Sequence, residues 1–148
     1  MRIDTDKIQK YLLEITERHH EIEELLQITS DSDLLEQPWT LKGLKYVLVE
    51  IAEAMANILQ HILAKDMGQP VAGYVETITR AGQLKVLPEP LTKKIKPFFD
   101  FRNSLIHRYW FISDERLLSL VREHRSDFIS FVEAVESYIK SRQVQNPS

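Results

Sequence analysis

Cysteine is absent from the 148 residues. That excludes disulfides, thiolate metal sites and cysteine nucleophiles, and it fits a reducing cytoplasm. Glycine is scarce, with four in the chain, and none forms a glycine-rich phosphate loop or a G-x-S-x-G elbow; an H-E-x-x-H zinc motif is also missing. Long apolar runs are missing too. The longest, around Val47 to Leu63, is interrupted by Glu50, Glu53, Asn57 and Gln60, so no bilayer-spanning segment is expected. The first residues, Met1 to Lys7, are polar where a signal peptide needs an apolar run. Sustained strand-type alternation is not found. A strong net charge is lacking as well: the formal value is −3, which argues against a general nucleic-acid coat and leaves room only for local contact with RNA.

What the chain does have is helical periodicity. At 43% hydrophobic and 28% charged it reads as globular, and its length suits one domain over 1–148. Ile8, Tyr11, Leu12, Ile15, Ile22, Leu25 and Leu26 form one stripe of a first long helix, capped by Asp4 or Thr5. Thr29 to Pro38 is a polar break with room for a short turn. A second long helix is expected from about Thr40 to Asp66, with Leu44, Val47, Leu48, Ile51, Met55, Ile58, Leu59 and Ile62 as its stripe and Gly68 closing it. Tyr74 to Ala81 suits a short helix. Leu91 to His107 reads as a third long helix carrying Pro97, where a kink or break is expected because proline loses one hydrogen bond and clashes with the preceding turn. Ser113 caps a last long helix, with Asp114 and Glu115 in its first turn. The expected architecture is all-α: an antiparallel bundle of four long helices plus a short one.

One segment concentrates chemistry. Arg102-Asn103-Ser104-Leu105-Ile106-His107-Arg108-Tyr109 sets an arginine, an asparagine, a histidine and a tyrosine within eight residues. From 93 to 110 the cations Lys93, Lys94, Lys96, Arg102 and Arg108 face a single acid, Asp100. A cationic segment on an acidic chain suits a phosphate-bearing partner. Asn103 and His107, four apart, share a helix face. Arg102 and His107 are five apart, about 140° around an ideal helix. They converge on one phosphate only if the helix unwinds near His107 or if two copies pair so that one Arg102 faces the other's His107. Such a cleft suits RNA cleavage by the ribose 2′-hydroxyl. His107 is the candidate general acid or base and Arg102 the fork for the phosphate oxygens. Asn103 would orient His107 or hold the ribose, and Tyr109 offers a hydroxyl and a stacking surface. The plainer alternative is that these side chains cap carbonyls or pair with acids at a helix end.

The pattern Arg-Asn-x-x-x-His-x-Tyr resembles the signature of the HEPN superfamily, and in this form its HepT-like branch, the toxin partners of MNT-type minimal nucleotidyltransferases. The likeness extends to Val49-Glu50-Ile51-Ala52-Glu53-Ala54, to the tract from Gly73-Tyr74 through Gly82 to Leu87-Pro88, and to Tyr109-Trp110-Phe111-Ile112. One departure is that Ser113 precedes Asp114 where an acid is expected first. The resemblance implies a HEPN bundle acting as a homodimer, and a metal-independent endoribonuclease that needs no cofactor and restrains growth by cutting RNA. Arg102 and His107 take the family's catalytic positions and Asn103 its polar position. Tyr109 matches the tyrosine that the cognate nucleotidyltransferase adenylylates, adding negative charge and bulk that would repel RNA phosphate. The Gly-Ser and Asp-x-Asp elements of such a nucleotidyltransferase are lacking here, so this chain is not the modifying partner. An alternative is a HEPN-like dimer that binds RNA, a nucleotide or a protein without cleavage.

Other residues support less. Glu50 or Glu53 could pair with Arg102 or His107 and set its orientation, or could form a solvated stripe. His19-His20 followed by Glu23 and Glu24 reads as an exposed polar face rather than a metal site. His61 and His124 stand alone in the sequence. Trp39 and Trp110 read as core or interface anchors; Trp110 could instead stack a base. Lys93, Lys94, Lys96 and Arg108 would steer RNA, or the lysines simply solubilise a helix start.

Overall fold

The computed structural model describes residues 3–107 and 112–145. Seven helices occur among the described residues: α1 (Thr5–Ile28), α2 (Asp31–Leu35), α3 (Pro38–Lys65), α4 (Tyr74–Gln83), α5 (Glu89–His107), α6 (Asp114–His124) and α7 (Ser126–Gln145). No strand accompanies them among these residues.

Local chemistry sets the boundaries. Asp4 caps α1 by accepting from the Lys7 N–H at 3.1 Å, Ser30 caps α2 by accepting from Asp33 at 3.2 Å, and Ser113 caps α6 by accepting from Arg116 at 3.1 Å. Proline opens α3, where its missing N–H costs nothing. Beyond α3, Gly68 has a φ of 65°, a left-handed turn that lets the Gln69 N–H return to the Leu63 carbonyl at 2.8 Å.

α3 is the axis of the molecule. It packs against α1, α2, α4 and α5, and Leu48, Ile51, Met55, Ile58, Leu59 and Ile62 are almost wholly buried. Ala52, Ala54 and Ala56 are buried on the intervening sides, which is why the apolar pattern runs further around this helix than the single stripe read from the sequence. By length and composition α3 would suffice to cross a membrane, yet most of its apolar window is buried inside the bundle. That is the packing of a core helix. α5 and α7 close the opposite side, with Phe98, Phe99, Phe128 and Phe131 fully buried and the Phe98 and Phe128 rings edge to face at 4.7 Å.

Two expectations are corrected. Of the kink or break expected at Pro97, the break does not occur: α5 is continuous from Glu89 to His107, with Ile95, Phe98, Phe99 and Phe101 buried on both sides of the proline. The last long helix is two, α6 and α7, joined at Arg125. There the Arg125 Nη1 donates to the Arg122 carbonyl at 2.6 Å while its Nε donates to Glu23 at 2.6 Å. The guanidinium thus takes up a carbonyl that the next helical turn would otherwise use.

The start of α4 is fixed tightly. Gln60 of α3 donates to the Ala72 carbonyl and to Thr77 Oγ1, both at 3.3 Å, and Thr77 Oγ1 donates to the Gly73 carbonyl at 2.5 Å. Further along, α4 approaches α5 so closely at Gly82 that an added Cβ would lie 3.1 Å from Thr92. These contacts set where Tyr74, the first residue of α4, meets α5.

Candidate functional site

The C-terminal half of α5 carries the motif. Phe99, Phe101 and Ser104 face inward, Arg102 and Asn103 are half-buried, and His107 is exposed at the helix end. Arg102 does not reach out freely. Its guanidinium carbon lies 3.9 Å from the centre of the Tyr74 ring, a stacking distance for a cation over an aromatic face. The Tyr74 ring also meets Phe99 edge-on at 6.4 Å. Arg102 Nη1 donates a long bond of 3.4 Å to Asn103 Oδ1, and its Nε is buried without a hydrogen-bond partner.

Burial pushes the Tyr74 hydroxyl above the usual tyrosine range, with the Arg102 charge opposing and Glu53 adding to the rise. In the sequence Tyr74 reads only as the start of a short helix. Its partnership with Arg102 spans two helices, and no spacing rule along the chain reports it.

The acids of α3 are elsewhere than expected. Glu50 pairs with Arg18 of α1 at 3.8 Å, and burial raises its pKa against the opposing pull of Arg18. Among the described residues no carboxylate lies within ion-pair distance of Arg102, and neither Glu50 nor Glu53 pairs with His107. The reason is the direction of each position on α3: Glu50 faces α1, while Glu53 reaches the Tyr74 side only through its field.

Asn103 and His107 share a face as expected, but no hydrogen bond joins them among the described residues; Asn103 instead serves Arg102. Lys96 is seven residues before Asn103, so Lys96, Asn103 and His107 lie along one strip of α5, with Arg102 turned well away from it. Lys93, Lys94 and Lys96 are exposed. Lys96 is bound to Asp100 at 2.9 Å, while Lys93 and Lys96 border a shallow groove of about 190 Å³ with Thr79, Gln83 and Glu89. Arg108, Tyr109, Trp110 and Phe111 lie outside the described residues. The chain resumes at Ile112, and Lys45 of α3 holds Asp114 at 2.8 Å.

The remaining histidines and Trp39 have neighbours that the sequence does not show. His61 is not alone: its Nε2 accepts from the Asp4 N–H at 2.9 Å. His124 pairs with Asp127 at 2.9 Å. His20 is exposed and bound to Glu24 at 2.6 Å, whereas His19 is largely covered and lies 3.5 Å from Glu23. Trp39 is no core residue; it is 82% exposed and carries the Lys42 ammonium 4.6 Å from its ring centre.

Residues 15–135 match the sequence model of a family described as Ribonuclease HepT-like. A provisionally named RNase of Archaeoglobus fulgidus is 28% identical, over 80% of this chain and 90% of that protein. The mRNA nuclease HepT of Shewanella oneidensis is 24% identical, over 78% of this chain and 88% of that protein. Among solved structures, a tri-AMPylated HEPN toxin of Shewanella oneidensis in complex with its MNT antitoxin superposes with a TM-score of 0.78 at 21% identity, covering 89% of this chain and 98% of that one.

Proposed function

The chain belongs to the HepT-like ribonuclease family, and from that premise we propose that it is the toxin of a toxin–antitoxin pair, a metal-independent endoribonuclease whose site is shared by two copies of the chain. One observation carries the reading: α5 remains helical through His107, while Arg102 is turned toward Tyr74. The unwinding that would let one chain bring Arg102 and His107 together is not seen over Glu89–His107. On this reading two copies pair about a two-fold axis to form a common cleft.

In that cleft His107 of one copy moves the proton and Arg102 of the other binds the phosphate. The ribose 2′-hydroxyl gives up its proton and attacks the adjacent phosphorus. The bond to the 5′-oxygen breaks, leaving a 2′,3′-cyclic phosphate and a 5′-hydroxyl that takes a proton. Histidine suits either transfer near neutral pH. The guanidinium fork meets the charge that grows on the non-bridging oxygens. Asn103, held against Arg102, orients that fork. Lys93, Lys94, Lys96 and Arg108 guide the strand by charge, and a DNA strand, lacking the 2′-hydroxyl, is not cut.

The partner on this reading is an MNT-type nucleotidyltransferase, the kind of antitoxin found with the HEPN toxin of Shewanella oneidensis. It silences the toxin by adenylylating Tyr109, two residues past His107, where added charge and bulk repel RNA. The pair acts in the cytoplasm, and residues 1–148 serve as one domain.

Purified chain with chelator should cut single-stranded RNA, and His107→Ala should reduce the rate by at least about 100-fold. RNA bound but uncut by the wild type would mean a binding module instead. For Tyr109, a mass gain of one or more AMP on that residue after incubation with the partner and ATP is expected; AMP on another residue, or none, contradicts the regulatory role.

A further inference from the structure

Arginines that bind phosphate are commonly oriented by a carboxylate, which holds the fork but also cancels part of its charge. Arg102 has no carboxylate within ion-pair distance among the described residues. The Tyr74 ring lies 3.9 Å from its guanidinium carbon instead. We propose that Tyr74 is the positioning residue for Arg102, a neutral platform that fixes the plane of the guanidinium and leaves its charge for the RNA phosphate.

The surroundings are built for this. The platform is itself immobilised: Phe99, one helical turn before Arg102, meets the Tyr74 ring edge-on. The Gln60–Thr77–Gly73 hydrogen bonds fix the backbone at the first turn of α4. Asn103 Oδ1 accepts from Nη1 at 3.4 Å. A guanidinium stacked on a ring keeps its donors in that plane, so they can approach phosphate oxygens in parallel. The ring's negative face attracts the cation without forming the hydrogen bonds that a carboxylate would take. Arg102 Nε, buried without a partner, is the cost of this arrangement.

The inference rests on the ribonuclease reading, and the experiment separates the two. Single-stranded RNA cleavage is measured for the full chain carrying Arg102→Ala, Tyr74→Phe, Tyr74→Leu or Arg102→Ala with Tyr74→Leu. Tyr74→Phe keeps the ring and should keep kcat within about twofold. Tyr74→Leu removes it and should lower kcat at least about tenfold with KM nearly unchanged, since misplaced charge acts on the transition state. In the Arg102→Ala background Tyr74→Leu should lower kcat no further. A second readout needs no catalysis. In ¹⁵N-arginine-labelled protein the Arg102 Nε–H resonance, identified by its loss in Arg102→Lys, should be displaced by the ring current in wild type and Tyr74→Phe and return to the ordinary arginine position in Tyr74→Leu. Wild-type kcat in Tyr74→Leu, a further drop in the double variant, or an Arg102 resonance undisplaced in the wild type overturns the inference and leaves the ribonuclease reading intact. Wild-type cleavage by Arg102→Ala overturns the role of Arg102 and the inference with it. Should Tyr74→Leu fail to fold, the wild-type and Tyr74→Phe resonances still decide.

Discussion

Arg102 and His61 show how a residue's work depends on the helix opposite it. His61 lies in α3, yet its ring nitrogen accepts from the Asp4 N–H at the start of α1. Only the neutral ring can do so. Burial first, then Lys7 and Lys65, lower its pKa below the ordinary 6.5, with Asp4 opposing. A histidine with a lowered folded pKa binds its proton more readily when unfolded. Its contribution to stability is therefore complete above about pH 6.5 and is lost as pH falls through the lower folded value. His19, whose pKa burial also lowers, adds in the same direction. Thermal unfolding should show a midpoint that falls below about pH 6.5, and His61→Gln should flatten part of that fall. An unaltered pH profile in the variant would contradict the role of the His61 contact. At this scale the sequence revealed the motif residues but not their neighbours. Arg102, Asn103 and His107 are legible because they lie close together on one helix. Tyr74 under Arg102 and Arg18 beside Glu50 are contacts between helices, decided by packing rather than by spacing.

Elements were legible where a cap or a period marks them. Ser113, Asp4 and Gly68 each end or begin a helix as their chemistry requires. Ser113→Ala should destabilise the chain by about 1 kcal/mol, since it frees an N–H at the start of α6. Urea unfolding would measure this, with Ser113→Asp expected to restore most of the loss. Pro97 and Arg125 are where the sequence misled, and for opposite reasons. At Pro97 a local rule favours a break, but buried neighbours on both sides keep the helix whole. At Arg125 no local rule favours a break, but a side chain captured by Glu23 ends α6. The continuity of α5 has a functional consequence: it holds Arg102 and His107 on different sides of one rod.

Across the whole molecule the core is one connected cluster from α1 to α7. Phe98 sits at its centre against Phe128, so Phe98→Ala should cost about 3–5 kcal/mol, enough to unfold much of the protein at 37 °C; circular dichroism against temperature would record it. The bundle was legible as a whole because helical periodicity fills the chain. How two copies would pair is not legible, since an interface leaves no period in one sequence. The pairing of Arg102 from one copy with His107 from another is therefore the claim to test most directly. Arg102→Ala and His107→Ala chains carrying different tags can be co-expressed and the mixed dimer purified on both tags. If the site is shared, one of its two clefts keeps both residues, and the mixed dimer should cut RNA at about half the wild-type rate although each parent is inactive. A mixed dimer as inactive as its parents would place Arg102 and His107 in a single chain and contradict the account.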